Sequence, residues 1–337
     1  MKKIIAIILA LMLVLSLAAC NTDNLAEYKK ALEKTDQITK GQFSADLSMV
    51  MDYNTDDMTA EEIKDLSYYK DMSGSFNVVY DDEAEKTILR NYMNFGGLGF
   101  DFDMYIDGEE MVMKLPVVGK YIKMNELNEL NELDEMNTAN IDEESYDQTI
   151  ISDETMKAIA DKWVSLMKED DVFKGKDIIL TTPDGEVKTT EYTITLSDEQ
   201  IRTLVKESLP VIAKDESLKK FYGEYVTFNV NEEEITFENM IESIEENIEN
   251  YMIENFKYTA LVDIDGYIVS ENITYSIKST KQDLILRGMD FNLDIKTWDI
   301  NKEQNFEFPV LTDENTVKTD VMEEMPDLMK DLFESKN

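Results

Sequence analysis

The chain has 337 residues and a formal net charge of −39, with 72 Asp and Glu against 33 Lys and Arg. Nucleic-acid phosphates and anionic lipids are bound by clustered Lys and Arg, so this balance argues against a nucleic-acid partner and against a polybasic membrane surface. With no His and a single Cys, the chain lacks the residues for Ser-His-Asp or Cys-His catalysis, a His metal site or an internal disulfide. Apolar residues make up 43% of the chain, which is enough for a sizeable core.

The first twenty residues have the pattern of a secretory signal peptide. Two lysines precede an apolar run over 4–17, and Leu17-Ala18-Ala19-Cys20 follows. The run is shorter than the ~20 residues of a membrane-spanning helix. The segment resembles the lipobox of bacterial lipoproteins, in which the chain is cut between Ala19 and Cys20 and the Cys thiol is diacylated. An ordinary secreted protein, in which this Cys has no role, is the alternative.

The lipobox resemblance implies three things about the beginning of the chain. Residues 1–19 would be a signal peptide, and residues 20–24 would be a lipidated Cys20 with a short tether. The mature protein would be held at the extracytoplasmic face of the cell membrane, because two acyl chains anchor a protein stably where one does not.

Helix and strand patterns follow the tether. Asn24 is predicted to cap a helix over 25–36, and residues 43–51 alternate apolar and polar side chains as a half-buried strand does. The acidic stretch 54–71 is expected to be helical or looped. Closely spaced strand patterns then predict an antiparallel meander, with a tight turn at Asp107-Gly108. Its strands are expected over 75–80, 87–94, 99–106, 110–115 and 120–124.

An acidic segment over 125–151, which contains an Asn-Glu-Leu repeat, is interpreted as a connection. A weak cation-binding role for this segment is the alternative. We expect one large domain over 25–337, with lobes over 25–124 and 152–337 on either side of the connection.

The second half contains helix and hairpin patterns in blocks. Pro210 is expected to kink or divide one of these helices. Helices are predicted over 152–168, 197–214, 232–255 and 321–332. Strands are predicted over 176–181, 188–196, 225–230, 257–264, 267–279, 283–288, 290–298 and 305–308. Because the strands come in blocks, the expected fold is α+β, a curved, largely antiparallel, half-barrel-like sheet covered on one face by several helices.

The element order over 25–308 resembles that of the LolA/LppX-like lipoprotein carriers, and the whole chain also resembles Gram-positive surface lipoproteins of unassigned role. In the carriers an unclosed barrel holds acyl chains between sheet and helices. The resemblance therefore implies a non-enzymatic protein, without a cofactor, that binds an apolar or amphiphilic ligand. The alternative is an envelope interaction or structural lipoprotein that uses its acidic surface to bind a protein partner or cations.

Methionine and phenylalanine at alternate strand positions give the candidate lining of a ligand cavity. A filled core is the alternative for these positions, and a copper(I) site is disfavoured without His or Cys ligands. The candidates are Met49, Met51, Phe100, Phe102, Met111 and Met113.

Other motifs indicate no catalytic residue and no metal site. Gly96-Gly97-Leu98-Gly99 lacks the Lys of a phosphate-binding loop and is interpreted as a bend or bulge in a strand. Asp101-Phe102-Asp103 and Asp263-Ile264-Asp265-Gly266 lack the full spacing of a calcium loop, and the latter is interpreted as a hairpin turn. A glycosidase-type carboxylate pair would need two acids facing each other in a cleft, and nothing in the sequence singles one out.

Overall fold

The computed structural model describes residues 23–108, 110–114, 119–123, 151–225, 228–230 and 233–317. The predictions for Ala19, Cys20, the acidic segment up to residue 150 and the helix over 321–332 lie outside these residues. Within them the fold is α+β, as predicted, with an eleven-stranded antiparallel sheet that stays unclosed and six α-helices.

The elements alternate in blocks along the chain. The helices are α1 (Asn24–Thr35), α2 (Ala60–Lys70), α3 (Asp153–Leu166), α4 (Asp198–Ile212), α5 (Glu216–Tyr225) and α6 (Phe237–Asn247). The strands are β1 (Lys40–Tyr53), β2 (Asp71–Asp81), β3 (Lys86–Phe95), β4 (Leu98–Asp107), β5 (Glu110–Lys114), β6 (Tyr121–Lys123), β7 (Val172–Thr182), β8 (Gly185–Ile194), β9 (Phe228–Val230), β10 (Glu233–Ile235), β11 (Tyr251–Asp263), β12 (Ile268–Ser279) and β13 (Leu286–Trp298).

The strand order in the large sheet is β6-β5-β4-β3-β2-β1-β13-β12-β11-β8-β7, and β9 and β10 form a separate ribbon. Strand β1 is the link between the two predicted lobes. Its Met49 pairs with Met72 of β2 on one side and with Phe291 of β13 on the other. Strands from before and after the acidic segment therefore share one continuous sheet.

The strand register divides the large sheet into an apolar face and a polar face. Direct cross-strand partners point to the same side, and neighbours along a strand point to opposite sides. On β1, the side chains of Leu47 and Met49 lie on the apolar face and are half-buried, whereas Asp46, Ser48 and Val50 lie on the polar face and are exposed. The predicted alternation along this strand is confirmed.

The main core forms where α1, α3 and α4 cover the apolar face of β7, β8, β11 and β12. Tyr28 of α1 is fully buried there, and its ring contacts those of Tyr192 and Tyr258 at centroid distances of 6.5 and 6.0 Å. Trp163 of α3 donates its indole N–H to the Tyr28 hydroxyl at 3.4 Å. Helix α1 is therefore part of the helical layer that covers this half of the sheet.

The chain after β13 packs on the polar face of β3–β5, where Phe306, Phe308 and Leu311 contact a cluster around Ile88 and Tyr105. The strand predicted over 305–308 is therefore wrong, because this segment lies across the sheet instead of beside an edge. The segment later reaches β6, where Thr316 forms an isolated parallel bridge with Tyr121.

Several predicted boundaries are also wrong. The carboxylate of Asp23, not Asn24, caps α1 by accepting the Ala26 N–H at 2.9 Å. The helix predicted over 232–255 ends at Asn247, because Tyr251 and Met252 pair with β12 as the start of β11. Helix α5 was not predicted. The strand patterns over 283–288 and 290–298 belong to the single strand β13.

Candidate ligand-binding face

The six predicted lining residues all lie on the apolar face, in the half of the sheet formed by β1–β6. One cross-strand row shows how this face continues from strand to strand. Met113 pairs with Met104, Met104 with Leu89, Leu89 with Val78, and Val78 with Phe43. The row crosses five strands and carries an apolar side chain on each of them.

The neighbouring rows place the other predicted residues on the same face. Phe102 pairs with Asn91, and Phe100 pairs with Met93. Met111 pairs with Ile106 of β4, and Met49 pairs with Met72 of β2. Met51, two residues after Met49 on β1, lies on the same face and pairs with Met289 of β13.

The six residues share a face but do not form one tight cluster. Neighbouring strands lie about 4.8 Å apart, so Met49 on β1 and Phe100 on β4 are separated by about 14 Å across the sheet. All six side chains are half-buried. They outline a broad surface, which we call the β1–β6 apolar face.

Helix α2 and the β3–β4 turn form one end of this surface. Helix α2 lies against β1, β2 and β3. Gly96 and Gly97 form a two-residue hairpin turn with φ of +55° and +92°, values that glycine adopts readily. A Cβ on Gly96 would lie 2.6 Å from the Ser67 carbonyl oxygen of α2. The glycine-rich sequence is therefore a hairpin turn packed on a helix, and the prediction of a bend or bulge within a strand is wrong.

Gly74 allows close packing in the middle of the β1–β6 apolar face. It is buried on β2, and a Cβ at this position would lie 2.8 Å from the Met93 sulfur and 3.1 Å from the Phe76 ring. Met93 and Phe76 thus fill the space that a side chain would occupy. Sequence reasoning missed both residues, although each belongs to an alternating apolar pattern in its own strand.

Asn91 is a buried polar side chain in the middle of the β1–β6 apolar face. It is 6% exposed, and its side-chain oxygen accepts no hydrogen bond from any residue that the structure describes. Its cross-strand partners are Phe76 and Phe102. Leaving a buried amide oxygen unpaired costs about 1–3 kcal/mol. The sequence carried a signal for it, since Asn91 interrupts the alternation of Leu89, Met93 and Phe95.

A cavity of about 810 Å³ lies at one end of β1, β12 and β13, and Met51 is the predicted lining residue that borders it. Arg287 in its wall donates to Asn54 at 2.7 Å and to Asp56 at 2.9 Å. Its charged lining consists of four cationic and four acidic side chains. This balance selects neither anions nor cations, so the cavity does not define the chemistry of a ligand. The cationic and acidic side chains are Lys70, Lys278, Lys281, Arg287, Asp52, Asp56, Glu254 and Asp290.

Helix α1, which follows the predicted tether, is fastened to the sheet at both ends. Near its start, Glu27 accepts hydrogen bonds from Lys174 at 2.6 Å and from Tyr192 at 2.7 Å, and these bonds lower the pKa of the Glu27 carboxyl. At its end, Thr35 accepts the backbone N–H of Ile268 at 2.8 Å. A lipid anchor just before α1 would therefore be connected to the sheet through these hydrogen bonds.

The calcium-like sequences belong to ordinary strands and turns. Asp103 lies on the polar face and forms an ion pair with Lys114 at 3.7 Å. Asp263 accepts the backbone N–H of Tyr267 at 2.8 Å and closes the turn at Gly266, where φ is +90°. Among the described residues, no group of three or more Asp, Glu or Cys side chains is placed to hold a metal ion.

No helix in the described ranges is long and apolar enough to cross a membrane. No protein-family model and no curated protein matches the chain. Function is therefore inferred from the resemblance of the first twenty residues to a lipobox, from the fold and from the geometry of the β1–β6 apolar face.

Proposed function

We propose that this protein is a non-enzymatic lipoprotein, anchored at the extracytoplasmic face of the cell membrane through a diacylated Cys20, that holds an apolar or amphiphilic ligand on the β1–β6 apolar face. The observation that carries this proposal is a set of adjacent cross-strand rows of half-buried apolar side chains. The lipobox resemblance supports the location, and the resemblance to lipoprotein carriers supports the type of ligand.

The contrast between the two halves of the sheet supports this choice of face. Under α1, α3 and α4, the core residues Tyr28, Ile194 and Ala260 have no exposed surface. On the β1–β6 half, Met49, Phe102 and their neighbours keep part of their surface accessible. Methionine is an adaptable lining for an apolar ligand because its side chain is unbranched and polarizable.

Burial of apolar groups on such a surface favours binding. Burying one methylene group gains about 0.8 kcal/mol, so a ligand that buries eight of them gains about 6 kcal/mol before the cost of immobilising it. An acyl chain lying across several strands can bury that much. No reacting group is needed for this function.

Native mass spectrometry of protein extracted gently from its own membrane tests the proposal, together with uptake of a fluorescent fatty acid by delipidated protein. We expect co-purified lipid and saturable uptake. Met113→Asn should weaken uptake, because it places an amide on the β1–β6 apolar face. Lys114→Asn is the matched control, since it changes the next residue of β5 on the polar face and should leave uptake unchanged. A well-folded protein without bound lipid and without uptake would overturn the proposal.

The second candidate is an envelope interaction lipoprotein that binds a basic protein partner or cations. The observation that favours it is the pairing of Asp46 with Asp294 on the polar face. Two carboxylates in direct cross-strand positions repel each other, and a cationic partner would relieve that repulsion. Partner capture that weakens steeply with salt, without uptake of an apolar ligand, would favour this second function.

A further inference from the structure

We propose that the ligand of the β1–β6 apolar face carries a hydroxyl or amide group that forms a hydrogen bond with the Asn91 side chain. The inference rests on the proposed function and narrows its ligand class, from any apolar molecule to an amphiphile with such a group positioned over the middle of the face. Simple hydrocarbons and unsubstituted acyl chains would leave this side chain without a partner.

Asn91 lies in the middle of the β1–β6 apolar face, away from its edge strands. Strand β3 lies two strands from β1 and three from β6, so Asn91 is about 10 Å and about 14 Å from these strands across the sheet. The residue is 6% exposed. A ligand group that reaches it must therefore lie over the face and not at its edge.

The side chains around Asn91 offer it no hydrogen bond. Across the strands its neighbours are Phe76 and Phe102, and along β3 the neighbours on the same face are Leu89 and Met93. Thr87, on the same face, is four residues along the strand, which is about 13 Å away. The side-chain oxygen is left without a donor among the described residues.

Burial of this amide is unfavourable unless it gains a partner on binding. A leucine would fill nearly the same volume without an unpaired polar group, so a surface that served only as a packed core would be better stabilised by leucine. Hydroxyl and amide groups both donate and accept hydrogen bonds, so either can pair with the amide in either orientation of its oxygen and nitrogen. These two groups define the ligand class.

The test compares stearic acid with 12-hydroxystearic acid and octadecanamide as competitors of a fluorescent fatty acid on the delipidated, full-length mature protein. Wild-type protein should bind at least one of the substituted ligands about tenfold more tightly than stearic acid, as expected for a hydrogen bond formed away from water. Asn91→Leu should remove this preference and keep the affinity for stearic acid. Asn77→Leu is the matched control, because Asn77 is exposed on the polar face of β2, and it should keep the preference.

The outcomes separate this inference from the proposed function. Equal binding of all three ligands by the wild type, or a preference that survives Asn91→Leu, would overturn the role of Asn91 and leave the apolar ligand site intact. Absence of binding of every ligand by a folded wild type would overturn the proposed function itself. If Asn91→Leu failed to fold, Asn91→Ser would replace it, since serine is too short to reach the same ligand group and should likewise lose the preference.

Discussion

The Tyr258 hydroxyl donates a hydrogen bond to the Glu271 carboxylate on the apolar face, beside Tyr28 of α1. Tyr258 is 5% exposed. Burial raises the pKa of the Glu271 carboxyl above its usual 4.5, and the hydrogen bond from Tyr258 opposes this only in part. These contacts join the helix that follows the predicted anchor to β11 and β12.

The raised pKa of Glu271 predicts a pH dependence of stability. The folded protein binds the proton more tightly than the unfolded chain, so the contribution of Glu271 is fully present below pH 4.5 and is lost as the pH rises through the folded pKa. Glu271→Gln should flatten this part of the profile and raise the free energy of unfolding at pH 7 by up to about 1 kcal/mol. Urea titrations at pH 4 to 7 measure it, and a marked loss of stability at pH 7 would contradict it.

The lowered pKa of Asp215 predicts the opposite dependence of stability on pH. Its carboxylate accepts the Ser152 N–H at 2.9 Å, the Ser152 hydroxyl at 2.7 Å and the Leu218 N–H at 2.9 Å, which ties the start of α3 to the start of α5. Burial alone would raise the pKa of Asp215, but bonds from Thr155, Leu218 and Ser152 outweigh it and bring the pKa to about 2. The stabilisation is therefore present above pH 3.8 and is lost as the pH falls towards 2.

Asp215→Ala should lower the free energy of unfolding at pH 7 by about 2 kcal/mol, because several donors lose their acceptor. The difference from wild type should shrink towards pH 2. Asp283→Ala, at an exposed position, serves as the control and should change stability by less than about 0.5 kcal/mol. Equal effects of the two substitutions would show that Asp215 does not join the helices.

The packing around Gly74 predicts that Gly→Ala substitutions at two positions have opposite effects on stability. Gly74→Ala should destabilise the protein by about 1–2 kcal/mol, because the new Cβ would push Met93 and Phe76 from their positions. Gly223→Ala should instead stabilise it by about 0.5–1 kcal/mol, since Gly223 lies in α5 and a Cβ there would meet no atom within 4 Å. Thermal unfolding of both variants measures the difference, and a stabilising Gly74→Ala would show that this part of the face is loosely packed.

The proposed lipid anchor at Cys20 predicts where the protein is found in the cell. Cys20→Ser removes the thiol that would carry the lipid, so the protein should move from the membrane fraction to the soluble extracytoplasmic fraction. Fractionation with an immunoblot measures this. Retention of Cys20→Ser on membranes after a high-salt wash would contradict the anchor.

Local sequence patterns were sufficient to predict the strands of the β1–β6 half. A period of two decides which side chains share a strand face, and it involves only neighbouring residues. For this reason Met49 with Met51, and Phe100 with Phe102, could be paired on a face from the sequence. The helix predicted over 232–255 failed at its end because Tyr251 and Met252 fit both a helical and a strand pattern, and pairing with β12 decided between them.

The sequence by itself determined the net charge, the lipobox pattern, the α+β class and the faces of individual strands, because these depend on composition and on short-range periodicity. Tertiary structure decided that β1 pairs with both β2 and β13, that α1 belongs to the helical layer over the sheet, and that Phe76 and Phe102 lie beside Asn91 on the neighbouring strands. These features depend on contacts between residues far apart in the chain. Their free energies arise only when the strands pair and water leaves the apolar face.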